Sequence, residues 1–255
     1  MRGELCIGSA SIFSFAALLL LIFMHVGQTN VSSVPRKIAM AKVNVSLYGE
    51  GLTVGLGDAI TGLYTTNDSA PLQAGAGLRQ SYEFGLYSYC GYTTDVLGTC
   101  TNHTTARRYE PYDTITSDMR ANYSQLTNFI IQGTTFKDSK YLGSNSKSAY
   151  YLLLLGTICT ALALFTGVIK HTVAFLISAC FAILGTIFLL AGSAIWTVIV
   201  HKSQDINTII IGEPTAVSLG ITVSTGTGIY LMWAAFACLF VSLIPYVSSC
   251  CTYRG

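Results

Sequence analysis

What this chain of 255 residues lacks most is charge. Lys, Arg, Asp and Glu together make up 10% of it, against about 25% in an ordinary soluble domain. The shortage is regional. Of the 26 charged residues, 19 fall between Arg36 and Lys147, Lys170 alone is charged between Ser148 and His201, and none occurs from Pro214 to Tyr253. A bilayer core imposes such blanks, because each charge buried there costs several kcal/mol. A soluble fold is excluded. The net charge of +2, with acids and bases nearly balanced, gives no sign of nucleic-acid binding. The blanks also argue against a proton relay or an ion-coupled transporter, both of which need ionisable groups at membrane depth.

Catalytic constellations are missing as well. His25, His103, His171 and His201 are scattered and show neither H-x-x-x-H nor H-E-x-x-H spacing, so no metal site is expected. G-x-S-x-G is absent, and GLGDAITG and TGTG resemble phosphate loops only superficially. No enzymatic activity and no cofactor are expected. His25 and His201, near the outer span ends, are candidates for an external pH sensor, against the plainer reading of two interfacial histidines.

What is present is four apolar stretches near the ~20 residues needed to cross ~30 Å of hydrocarbon. The expected spans are 6–26, 149–169, 172–200 and 223–246. Residues 1–5, 170–171 and 247–255 then lie on one side, and the loops 27–148 and 201–222 on the other. A signal peptide is the rival for the first stretch, but no A-x-A-like cleavage site follows it. Pro245 falls at the end of the fourth span, where a lost backbone donor matters least. The third span carries Ser178, Ala182, Gly185 and AGSA from Ala191 to Ala194; the fourth carries Gly226, Gly228, Ala234, Ala235 and Ala237. Small residues let helix backbones approach closely in lipid. Packing within the bundle is the first expectation for them, ahead of contact with another subunit.

Sidedness follows from Asn-x-Ser/Thr acceptors at Asn30, Asn44, Asn67, Asn102 and Asn122, all in the large loop. Together they favour an extracellular or lumenal loop bearing N-glycans. Arg2, Lys170 and Arg254, opposed only by Glu4, agree with cytosolic termini in a plasma-membrane protein. The eight cysteines sort by the same compartments. Cys90 and Cys100 alone lie on the oxidising side outside the membrane, so a disulfide between them is expected. Cys159, Cys180 and Cys238 lie inside spans, where cysteine acts as a small hydrophobe. Cys6, Cys250 and Cys251 lie at the cytosolic membrane edge, either as S-acylation candidates or as unmodified interfacial thiols.

The large loop is long enough for a small domain. In IAMAKVNVSLY, period-two patterning puts Val43, Val45 and Leu47 on one face and Asn44, Ser46 and Tyr48 on the other. SYEFGLYSYC places Tyr82, Phe84 and Leu86 together. GEGLTVGLGD and PLQAGAGL between them suggest turns. DMRANYSQLTNFIIQ predicts one short helix over 116–132, with Met119, Tyr123, Leu126 and Ile130 on one face. The expected fold is therefore a membrane α-helical four-span bundle with an antiparallel β-sheet domain in the first outer loop. Tyr87 and Tyr89 beside the disulfide would make a rigid amphipathic face near the headgroups, or else be ordinary sheet core and surface.

The run GLYSYC from Gly85 to Cys90, then Cys100 and RRYEP ending at Pro111, resembles the fungal Sur/PalI family of four-span plasma-membrane proteins, similar in plan to claudins. The family's pattern is G-L-W-x-x-C, a second cysteine about ten residues on, and an aromatic-x-Pro segment. Gly85, Leu86, Tyr87, Cys90, Cys100 and Pro111 take those positions, with Tyr87 standing where tryptophan is usual. GITVSTGTGIYLMW resembles the Gly-rich approach to the fourth span and puts Trp233 in the family's tryptophan role. The resemblance implies a non-catalytic protein of eisosome patches or cell-wall integrity. Such a protein would organise a membrane domain by associating with copies of itself, with other integral membrane proteins or with membrane lipids. The alternative is an accessory subunit of a larger transporter, pump or polysaccharide synthase.

Overall fold

The computed structural model describes residues 2–169, 172–212 and 216–252, with side chains described over 8–169, 173–212 and 216–245. The turn at Lys170 and His171 lies outside the described residues, as do the side chains of Cys6, Cys250 and Cys251. In chain order the elements are α1 (Arg2–Val26), α2 (Ser33–Lys37), β1 (Ala41–Asn44), α3 (Tyr48–Leu56), β2 (Ser81–Phe84), β3 (Tyr89–Tyr92) and β4 (Gly98–Cys100). Then come α4 (Pro111–Asp118), α5 (Ala121–Ile130), α6 (Ser139–Gly167), α7 (Thr172–Ser203), β5 (Ile210–Ile211), β6 (Val217–Ser218), β7 (Thr222–Thr225) and α8 (Thr227–Thr252). Four helical segments are long and apolar enough to cross a membrane: Gly8–Val26, Ser139–Gly167, Val173–Thr208 and Thr227–Pro245. The chain divides into two compact units. A helical unit comprises 1–25, 148–195 and 229–255, and a loop domain comprises 26–147 and 196–228.

Each long helix buries a stripe that steps alternately by three and four residues, widened on α7 by Ala179, Thr186 and Ser193. On α1 it runs Ala10, Ser14, Ala17, Leu21, Met24; on α6 Ala149, Leu153, Gly156, Thr160, Ala163. On α7 it runs Phe175, Ser178, Ala182, Gly185, Leu189, Gly192, and on α8 Met232, Ala235, Leu239, Ser242. A 3.5-residue period is the seam of left-handed helix packing. The small members set the spacing. A Cβ on Gly156 would meet Leu189, one on Gly192 would meet Leu153, and one on Gly185 would press on Leu239 and Cys159. Ser178 Oγ donates to the Ala163 carbonyl (2.6 Å), tying α7 to α6, and His25 Nε2 meets Thr157 Oγ1 (3.1 Å) between α1 and α6. Thus Ser178, Ala182, Gly185 and Gly192 face other helices of this chain. The candidate fourth span runs to Pro245, and the helix itself continues to Thr252. In lipid a helix tolerates proline where neighbouring groups satisfy the freed carbonyl.

In the loop domain an antiparallel sheet runs in the order β4-β3-β2-β1-β7. Its central strand comes from the first loop, while β7 comes from the second, so the sheet joins the two. Val43 sits opposite both Tyr82 and Val223, and all three are buried. Phe84, in the neighbouring row, packs edge-on against Tyr109 (5.0 Å between ring centroids). The free side of β7 is closed by a side chain. Asn207 Oδ1 accepts from Val223 N–H (2.6 Å) and Asn207 Nδ2 donates to the Val223 carbonyl (3.0 Å), as a further strand would. Asp205 caps the 3-10 turn Thr135–Lys137 through the amides of Thr135 and Phe136, a second tie between the loops.

Three sequence expectations change. The alternation after Val45 stops, because the chain turns into α3: Leu47 is 58% exposed and Tyr48 is fully buried. GEGLTVGLGD is mostly that helix rather than turns. Its glycines permit close packing, since a Cβ on Gly51 would strike the carbonyls of Ser218 and Leu219 and one on Gly55 would strike Ile211. Tertiary contact thereby outweighs poor helix propensity. Finally, the single helix expected over 116–132 is two, α4 and α5. Pro111 starts α4 at a first-turn position, and Met119 is extended (φ −70°, ψ 149°), which breaks the run. Met119 is buried at that break, and Thr127 is the buried residue of α5.

Candidate functional site

The sheet has two unlike faces because side chains alternate along each strand. Opposite the apolar face, one transverse row reads Cys100, Cys90, Glu83, Lys42 and Ser224, fixed by successive pairings of Cα partners. The next reads Gly98, Tyr92, Ser81, Asn44 and Thr222. Cys90 and Cys100 are directly opposed across β3 and β4 and form a disulfide. The cross-link clamps the terminal hairpin of the sheet beside its only ionised row.

Gln28, two residues beyond α1, is the hub of this face. It is fully buried and holds φ at 55°, a left-handed conformation uncommon outside glycine. Its Nε2 donates to Glu83 Oε2 (2.7 Å) and to the Arg36 carbonyl (2.7 Å), and its Oε1 accepts from Tyr92 Oη (2.9 Å). Its own carbonyl accepts from Ser88 Oγ (2.5 Å). Lys42 Nζ pairs with Glu83 Oε1 (2.7 Å). Burial, reinforced by the nearby Glu83 carboxylate, raises the Tyr92 phenol above its ordinary value. Around these groups lies a recess of about 350 Å3 lined by Arg36, Lys37, Lys42, Ser81, Glu83, Tyr92, Asp95 and Val96.

A second polar cluster fixes the loop before β2. Arg79 and Asp118 are both buried, 3.8 Å apart, and Tyr82 Oη donates to Asp118 Oδ2 (2.7 Å). Arg79 also donates to the carbonyls of Ala70 and Gly77, while Asp118 Oδ1 accepts from the Gln73 amide. Burial pushes the Asp118 carboxyl above the ordinary carboxylate range, and the Tyr82, Gln73 and Arg79 donors offset this only in part. The pairing is structural: it holds 70–79 against the end of α4.

The motif residues are brought together. Gly85 opens a tight turn (its N–H donates to the Ser88 carbonyl, 2.9 Å) and lies so close to Gly27 and Gln28 that no Cβ fits. Leu86 is buried, and its carbonyl accepts from Arg107 N–H (3.2 Å). Tyr87 is half-buried and its carbonyl accepts from Thr104 N–H (2.8 Å). The proposed face of Tyr87 and Tyr89 does not form. Tyr87 belongs to the turn, whereas Tyr89 opens β3 in the core, packed on Phe84 (5.4 Å) under the Arg107 guanidinium (5.0 Å). Pro111 stands at the start of α4, and Trp233 lies in α8, edge-on to Phe236 (5.7 Å).

All five acceptor asparagines, Asn30, Asn44, Asn67, Asn102 and Asn122, are exposed. Asn30 and Asn102 line one open groove of about 430 Å3 together with His103, whose Nε2 meets the Thr29 carbonyl (2.7 Å). His25 and His201 each have a local partner, Thr157 and Gln204 respectively. Among the described residues no group of three His, Cys, Asp or Glu is placed to hold a metal ion. Gln28 gave no signal in the sequence, because its partners are distant in the chain. Lys42 and Glu83 did give one, as the charged alternates within two apolar strands.

No curated protein is similar enough to this chain to count as a match. The model of the SUR7/PalI family, in contrast, matches residues 6–245, nearly the whole length. With four apolar helices, a sheet built from both loops and the Gly85–Cys90 turn seated on Gln28, the chain belongs to the SUR7/PalI family.

Proposed function

We propose that this membrane protein is a non-catalytic organiser of a plasma-membrane domain, with the loop domain outside the cell and both termini in the cytosol. Family membership fits a non-catalytic membrane protein, and the family supports a place in eisosome patches or cell-wall integrity. The observation that carries the reading is how the loop domain uses its polar groups. Glu83, Gln28, Asp118, Arg79, Asp205 and Asn207 all bind other parts of the same domain. They make a rigid platform from two loops, which suits presentation of a surface to lipids, to other integral membrane proteins or to further copies of the chain. Extraction in a mild detergent followed by mass measurement tests this. The expected result is an assembly of identical chains with bound lipid. Recovery in fixed ratio with one large unlike enzyme would instead make the chain an accessory subunit.

A further inference from the structure

The recess on the polar sheet face combines three cations with a defined depth. Arg36 and Lys37 close α2, and Lys42 projects from β1. Against these three stand Glu83 and Asp95. Glu83 is already engaged by Lys42 and Gln28, and Asp95 is exposed on the β3–β4 hairpin. Arg36 makes one long bond, Nη1 to the Val96 carbonyl (3.3 Å), and Lys37 is exposed with no ion pair among the described residues. The recess therefore has a surplus of positive charge and donors not yet satisfied.

Its depth is set by the backbone. Thr227, the first residue of α8, donates from Oγ1 to the Lys37 carbonyl (2.5 Å), and Gly228 N–H donates to the Ala39 carbonyl (2.7 Å). Gln28, two residues after α1 ends, holds the Arg36 carbonyl (2.7 Å). Arg36 and Lys37 are thus bonded to residues at the ends of two apolar helices. The candidate spans Gly8–Val26 and Thr227–Pro245 are 19 residues each, and at ~1.5 Å of rise per residue a bilayer crossed by them would have these ends near its headgroups. Cations there meet phosphate, and a guanidinium beside an ammonium suits a phosphodiester, which offers two non-bridging oxygens sharing one negative charge.

We propose that the Arg36–Lys37–Lys42 recess binds the phosphodiester headgroup of an anionic phospholipid in the leaflet beside the loop domain. This deepens the lipid-binding part of the function proposed above and rests on it. The full-length chain in neutral detergent is titrated with short-chain phosphatidylglycerol, short-chain phosphatidylcholine or inorganic phosphate, and adducts are counted by native mass spectrometry. The expected result is one phosphatidylglycerol per chain, held at least tenfold more tightly than either of the others. Lys37→Gln and Arg36→Gln should each weaken it about tenfold, whereas Lys140→Gln, at an exposed position on α6, should not. Lys37 makes no side-chain bond among the described residues, so its variant isolates the ligand effect. Equal retention by wild type and Lys37→Gln would overturn the site. Inorganic phosphate binding as tightly as the lipid would overturn the lipid assignment. Self-association seen by mass measurement would survive either failure, which separates this site from the broader reading.

Discussion

At the scale of single residues, the loop domain is a tyrosine core clipped by a few buried polar groups. Burial pushes the phenols of Tyr48 and Tyr89 up to about 12, and those of Tyr82, Tyr92 and Tyr109 upward as well. The sign follows directly. A folded-state value above the unfolded one of about 10 means stability that is fully present below pH 10 and lost as pH rises through the folded values. In an alkaline titration followed by phenolate absorbance, exposed tyrosines should ionise near pH 10. The buried set should remain protonated until about pH 12 and then ionise together with loss of ellipticity. Smooth ionisation of every tyrosine near pH 10 with the fold intact would contradict this packing. Asp118 carries the same sign at the acid end: its contribution is largest below the ordinary carboxylate range and shrinks as pH rises through its raised value. This residue therefore does not predispose the domain to acid unfolding.

At the scale of elements, much was legible where the pattern is local. Tyr82, Phe84 and Leu86 alternate and are all buried, and the apolar lengths of the four spans stand out from composition alone. Legibility failed where a distant partner decides. The glycines of α3 look like turn residues until the hairpin of β5 and β6 is laid against them, and only then does a helix without bulky side chains become the favoured solution. Part of the α7 stripe showed through its small residues Ser178, Ala182 and Gly185, but the other stripes were hidden because lipid-facing positions are as apolar as buried ones, so hydropathy carries no phase. Asn207 belongs to no glycosylation signal and no local pattern marks it, yet it closes the sheet. Asn207→Ala should leave Val223 without both edge partners, at a cost of about 1 kcal/mol because water can replace them. Hydrogen exchange should show faster exchange at the Val223 amide while the Val43–Tyr82 pairing stays protected. Unchanged exchange at Val223 would mean that the edge is closed by something other than Asn207.

For the whole molecule, sidedness is the property on which the disulfide, the expected glycans and the proposed lipid site all depend. The Cys90–Cys100 bridge closes ten residues, and a loop of that length is worth about 2–3 kcal/mol to a domain whose sheet gathers strands from both loops. That contribution exists only on an oxidising side of the membrane. Glycosylation of the exposed acceptors Asn30, Asn44, Asn67, Asn102 and Asn122 would require the same side by independent chemistry. An epitope inserted between Asp58 and Ala59, which are exposed beyond the end of α3, should be reached by antibody on unbroken cells. The same protein should lose mass on treatment with an N-glycan hydrolase, and Cys100→Ser should lower the thermal midpoint in the absence of reductant. Adding reductant should bring the wild type towards the variant, because both then lack the same cross-link. An epitope reached by antibody once the plasma membrane alone is opened, with internal membranes intact, would place the loop domain in a reducing compartment. The bridge would then be open in the cell, the five asparagines unglycosylated, and the Arg36–Lys37–Lys42 recess turned towards the cytosolic leaflet. A single inverted result would thus remove the common support of all three.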